Sequence, residues 1–160
     1  MSAPMNVDHH YALTVEWTGN RGTGTSGYRD YGRDHIVRAE GNPPIEGSSD
    51  RVFFGDPERW NPEELLVAAL AQCHMLSYLH VAQRNGIVVT AYTDEATGTM
   101  ATTSDGGGQF TSVTLRPAVT ISDPSQVELA QSLHEEASSL CFIASSVNFP
   151  VEHEPTTSAD

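Results

Sequence analysis

The chain of 160 residues has two thiols, Cys73 and Cys141, and they are its candidates for nucleophilic redox chemistry. A thiol attacks only as the thiolate, and apolar surroundings push its pKa up, so a reactive cysteine needs a cation beside it. All eight basic residues are arginines, and the lack of lysine removes Schiff-base chemistry, phosphate-loop lysines and lysine general bases. Arg21, Arg38, Arg51 and Arg59 are the candidate counter-charges, because a guanidinium keeps its charge when buried. The plain alternative is that Cys73 is a small hydrophobe, the commoner fate of a buried cysteine.

Other uses of these residues fit less well. Cys73, His74, His80, His134 and Cys141 could ligate a metal, but no C-x-x-C or H-E-x-x-H pair is present, so no metal or other cofactor is expected. A cysteine hydrolase could take His80 as its base, yet two helical turns separate it from Cys73 by about 10 Å along the axis. Gly22-x-Gly24-x-x-Gly27 has the spacing of a dinucleotide fingerprint, but the residues after it lack a helical period, and it reads as a turn.

A formal net charge of −13 argues against nucleic acid and anionic membranes as partners. The opening MSAPMNVDHHYALTVEW lacks the pattern of a secretory signal, and the longest unbroken apolar run, Leu65 to Ala71, is too short to span a bilayer. The expectation is a cytoplasmic protein, whose cysteine pair is better suited to a transient, catalytic disulfide than to a permanent staple.

The element that must position Cys73 is a long helix between Trp60 and Gly86. Asn61 is a good N-cap, Pro62 suits the first helical position, Glu64 completes a capping box, and Asn85-Gly86 supplies the left-handed stop. Apolar residues cover nearly its whole circumference, which predicts burial, and Ala68, Ala69 and Ala71 would let a second copy of the helix approach closely. His74 points about 100° away from Cys73 and is assigned to that seam.

Around this helix the patterning predicts strands near residues 11–17, 35–39 and 51–54, one or two strands over 87–104, and a strand over about 110–121. Gly106-Gly107-Gly108 should turn a hairpin. Asp123 or Ser122 should cap an amphipathic second helix running toward Leu140-Cys141, and Val147, Phe149 and Val151 should form a closing edge strand beside Pro150. Residues 1–9 and the last seven read as loose tails, and GNPPIEGSSD as a loop. The expected architecture is α+β, a mostly antiparallel sheet wrapped around a long buried central helix with a second amphipathic helix. It forms one domain over residues 1–160 with a core of about 11–153. Covering the central helix calls for a homodimer.

The chain resembles the osmotically inducible protein C and organic hydroperoxide resistance (OsmC/Ohr) family of thiol peroxidases. The resemblance rests on Asn61-Pro62-Glu63-Glu64-Leu65-Leu66, Ala68-Ala69 and Cys73, on Trp17-x-Gly19 with Arg21-Gly22-x-Gly24-Thr25, and on Cys141 beyond the second helix. It implies an intertwined homodimer, a peroxidatic Cys73, a resolving Cys141, and an Arg21 and Glu63 that tune the thiolate. It also implies an organic hydroperoxide as substrate and a dithiol reductant, lipoyl-linked in some members. Phe142 stands where the family commonly has proline. Glu63 lies roughly 15 Å along the helix axis from Cys73 of its own chain, so a shared site takes Glu63 from the partner. The reading from another class is a non-enzymatic small-molecule or acyl-chain binding protein of the same fold, with structural thiols.

Overall fold

The computed structural model describes residues 6–160, and within them the chain divides into two compact units, 6–64 and 65–160. The boundary falls inside the first turn of the central helix. Part of the expected N-terminal tail lies outside the described residues.

The first unit holds an antiparallel sheet in the order β1-β2-β3, made of β1 (Thr14–Trp17), β2 (His35–Arg38) and β3 (Ile45–Gly47). Val15 faces Val37 and Trp17 faces His35 across the first pair. β3 lies in the stretch expected to be a loop, and its chain is held by Ser48 N–H donating to the Trp60 carbonyl at 2.8 Å. The strand expected at residues 51–54 is instead a 3-10 turn, Arg51–Phe53. The Asp50 carboxylate accepts from the Val52 N–H, and Phe54 sits at φ 63, so local side-chain capping overrides the β-propensity of Val-Phe-Phe. All four β1 residues are exposed, Val15 at 60 %.

The central helix, α1 (Pro62–Arg84), has the expected ends. Asn61 Oδ1 accepts from the Glu64 N–H at 2.8 Å, and Asn61 Nδ2 donates back to Glu64 Oε1 at 2.6 Å. At the other end Ile87 N–H donates to the Ala82 carbonyl and Gly86 N–H to that of Gln83, around Gly86 at φ 71, which is a Schellman motif. At 23 residues α1 is long and apolar enough to cross a bilayer by length and composition. Its burial is one-sided, however: Leu70, His74, Tyr78, Val81 and Ala82 are buried, whereas Leu76 is 62 % exposed. Burial on all sides, as the composition predicted, is not found within the chain.

The second unit packs α1 and α2 (Val127–Ser139) with two three-stranded sheets, β4-β7-β9 and β5-β6-β8. Their strands are β4 (Val89–Asp94), β5 (Thr97–Thr102), β6 (Gly108–Leu115), β7 (Pro117–Ile121), β8 (Val151–His153) and β9 (Thr156–Ala159). The single strand expected over 110–121 is broken at Arg116, whose N–H donates to Asp94 Oδ1, and its halves join different sheets. The last residues are not a loose tail, for β9 pairs in parallel with β7 from Ala118↔Thr156 to Ile121↔Ala159. Backbone pairing along the whole strand outweighs its polar composition. The closing strand starts only at Val151 and lies at a sheet edge beside β6. The observed class is α+β with mostly antiparallel pairing.

Two apolar clusters result. Leu70, Val113 and Leu115 form one with Phe110, Phe149 and Val151, and Tyr78, Val81, Ile121, Ala130 and Leu133 lie in the other. Successive turns of α1 thus feed both. Gly86→Ala places a Cβ in the left-handed region and removes the stop, and should cost about 1 kcal/mol. Asn61→Ala should cost a similar amount, about 1 kcal/mol, by orphaning the Glu64 N–H. Urea midpoints of the two variants measure both.

Candidate functional site

Cys73 lies half-buried on α1, three residues beyond Leu70, and Cys141 is 2 % exposed just past the end of α2. The chain enters the turn at Cys141 through Leu140 and Cys141 N–H groups donating to the carbonyls of Ala137 and Ser138. It leaves through Ser145, whose N–H and Oγ–H both donate to the Cys141 carbonyl at 3.1 and 3.0 Å. This is one further helical turn, closed without the proline of the family pattern, and Phe142 in that position is 83 % exposed. The two thiols are free and lie near each other, close enough for Cys73 to affect the titration of Cys141. Burial, and then the neighbouring Cys73, push the Cys141 thiol well above its ordinary range, while the Ala144 N–H at 3.4 Å from its sulfur opposes this. Cys141 therefore keeps its proton at neutral pH.

Arg21 and Glu63 are described within the first unit. Arg21 is exposed, with Nη1 3.4 Å from the Arg29 carbonyl. Asn20 Oδ1 shapes its loop by accepting from the N–H groups of Gly22 and Gly24, both at positive φ. No helix follows that glycine turn. Glu63 is half-buried, and its Oε2 is buried without a hydrogen-bond partner. Of the rival arginines, Arg38 pairs with Glu16, and Arg59 with Asp34, Glu46 and Asp56. Arg51 has no such carboxylate among the described residues.

Beside Cys73 in sequence, His74 does not line an exposed seam as expected. It is fully buried, with Nε2 3.0 Å from His134 Nδ1 on α2 and its ring 4.5 Å from that of His153 on β8. Tyr78 stacks on His134 at 4.0 Å between ring centres and donates its O–H to the Ala130 carbonyl at 2.9 Å. Tyr92 Oη and Asp94 Oδ2 are buried nearby without partners. His74 Nδ1 and His134 Nε2 are likewise orphaned. Either direction of the shared bond leaves one ring with a buried N–H unmet, at a cost of about 1–3 kcal/mol.

Burial, followed by the neighbouring rings, drives the His74 pKa down to about 3. His134 falls to about 4 for the same reasons. His153 is lowered by burial, partly offset by the Asp94 carboxylate, and Asp94 and Tyr92 are pushed up chiefly by burial. All three rings are thus neutral at pH 7. Sequence reasoning missed this cluster, although His74 sits in register with Leu70 and Tyr78, and His134 next to Leu133 on the apolar face of α2. Among the described residues no three His, Cys, Asp or Glu side chains converge in a metal-holding group.

An α+β frame with one thiol on the central helix and another beyond a second helix fits the family expected from the sequence. The family described as OsmC-like protein matches residues 55–156, and the chain belongs to it. It is 30 % identical over 149 residues to the uncharacterized protein YmaD of Bacillus subtilis, covering 91 % of each chain. The structure of the OsmC-like protein of unknown function VCA0330 from Vibrio cholerae aligns with TM-score 0.82 at 31 % identity, covering 92 % of this chain and 99 % of that one. An organic hydroperoxide resistance protein from Elizabethkingia anophelis shares the fold, with TM-score 0.69 at 18 % identity, over 98 % and 100 % of the two chains.

The histidine pKa values fix the sign of a pH dependence. His74 and His134 are both depressed below the ordinary 6.5, so the unfolded chain takes up protons below pH 6.5 that these two rings refuse in the folded chain until about pH 3 to 4. Stability present above pH 6.5 is therefore lost as pH falls, at about 1.4 kcal/mol per pH unit for each fully titrating ring. His134→Gln should flatten the decline between pH 6.5 and 4.5 by about that slope. An unchanged slope in urea titrations across this range would count against burial as the cause.

Proposed function

We propose that this chain is a homodimeric, cytoplasmic thiol peroxidase that reduces organic hydroperoxides. The observation that carries the reading is that two free thiols distant in sequence, Cys73 and Cys141, lie near each other in the fold. Membership of a family that includes organic hydroperoxide resistance proteins supports it.

In the proposed cycle the Cys73 thiolate attacks the terminal oxygen of ROOH, and the O–O bond breaks. The alcohol ROH leaves after taking a proton, and Cys73 becomes a sulfenic acid. Cys141, held protonated until then, loses its proton and attacks that sulfur, forming the disulfide and releasing water. A dithiol returns both cysteines to thiols and is itself oxidised to a disulfide. Apolar lining favours organic over hydrogen peroxide, since each buried methylene of the tail adds about 0.8 kcal/mol.

The dimer supplies what one chain lacks. One-sided burial of α1, the exposed β1 and the orphaned Glu63 Oε2 support a second copy on these surfaces. Arg21 then serves as the cation beside the thiolate, and Glu63 of one chain braces an arginine at the site of the other.

One equivalent of cumene hydroperoxide should abolish both free thiols per chain. Cys141→Ser should stall at a sulfenic acid that dimedone traps, and Cys73→Ser should not react. Full retention of both thiols in the native chain would instead favour a binding protein with structural cysteines. Arg21→Ala should slow alkylation of Cys73 near neutral pH by on the order of tenfold, and move its pH profile upward.

A further inference from the structure

The chain's eight arginines fall into two sets. Arg38, Arg59, Arg84 and Arg116 each lie within 4.0 Å of a carboxylate. Arg21, Arg29, Arg33 and Arg51 pair with none among the described residues, and these same four line one cleft of about 350 Å³ with Tyr31, Phe54 and Gly55. No acidic side chain lines it. In a chain of net charge −13, the cations left without carboxylates are gathered in one place, where they repel each other.

Aromatic rings and carbonyls hold them there. The Arg33 guanidinium lies 3.9 Å from the Tyr31 ring centre and 4.8 Å from that of Tyr28, and donates to the Tyr31 and Tyr28 carbonyls at 2.6 and 2.7 Å. Arg29 lies 5.3 Å over Phe54, and Tyr28 packs edge-on against that ring. Phe54 is presented by its left-handed backbone at the end of the 3-10 turn. Such contacts orient a guanidinium without neutralising it, and most of the N–H donors on Arg29 and Arg51 remain free.

We propose that this cleft binds the dianionic head of a small organic phosphate, with the ester's apolar body against Tyr31 and Phe54. One carboxylate is satisfied by a single guanidinium fork, whereas the three terminal oxygens of a phosphate monoester can accept from several. The cleft shares Arg21 with the peroxidase cycle proposed above, but its test rests on Arg29 and Arg51, which that cycle does not use, so the two readings can fail separately.

Calorimetry of the full-length chain with phenyl phosphate as the probe tests it. One ligand should bind per chain, with affinity falling as salt rises. Arg29→Gln and Arg51→Gln should each weaken binding by about tenfold or more, whereas Arg38→Gln should leave it unchanged. Inorganic phosphate should bind more weakly than the ester, and benzoate more weakly still. The proposal is overturned by no binding at millimolar phenyl phosphate, by equal affinity in the Arg29 and Arg51 variants, or by benzoate binding as tightly. Affinity that appears only on dilution would also overturn it, because carboxylates of a second copy would then be the occupants.

Discussion

The stripe Leu70, His74, Tyr78 and Val81 on α1 is the constraint on which the second unit depends. Leu70 enters one apolar cluster with Val113 and Leu115, and Tyr78 and Val81 enter the other with Ile121, Ala130 and Leu133. His74 lies between them, tied to α2 through His134. Because α1 carries Cys73 one residue before His74, and α2 runs into Cys141, the packing that closes the two clusters also sets the thiols near each other. Interiors pack too densely for one of these contacts to shift alone.

That arrangement has a cost. Buried neutral imidazoles with an unmet N–H, and an Asp94 oxygen without a partner, are tolerated where the surrounding apolar contacts outweigh them. The same burial keeps Cys141 protonated beside Cys73. In the proposed cycle this is the useful ground state, since a thiol that keeps its proton becomes a nucleophile only after the first sulfur is oxidised.

Much of this was legible from residue types. The capping box at Asn61 and the stop at Gly86 specified α1 because both act within a few residues. The hairpin at Gly106 was legible for the same reason, whereas Asp123 caps a 3-10 turn, Pro124–Gln126, and α2 begins only at Val127 behind it. Local signals misled where partners are distant: Val-Phe-Phe at 52–54 reads as a strand until Asp50 caps it, and the polar 156–159 segment becomes a strand only because β7 offers it an edge. The histidine cluster was hidden because each ring, taken alone, fits solvent as well as core.

By itself the sequence determined the two helices, both ends of α1, the α+β class and the identity of the candidate reactive side chains, since these follow from short-range hydrogen bonding, periodicity and chemistry. Only the tertiary structure decided that Cys73 lies near Cys141, that one face of α1 is buried and another is not, that two buried histidines cluster with a half-buried third, and that the carboxylate-free arginines gather in one cleft. Those are contacts between residues far apart in the chain, and no local propensity encodes which distant surfaces will exclude water together.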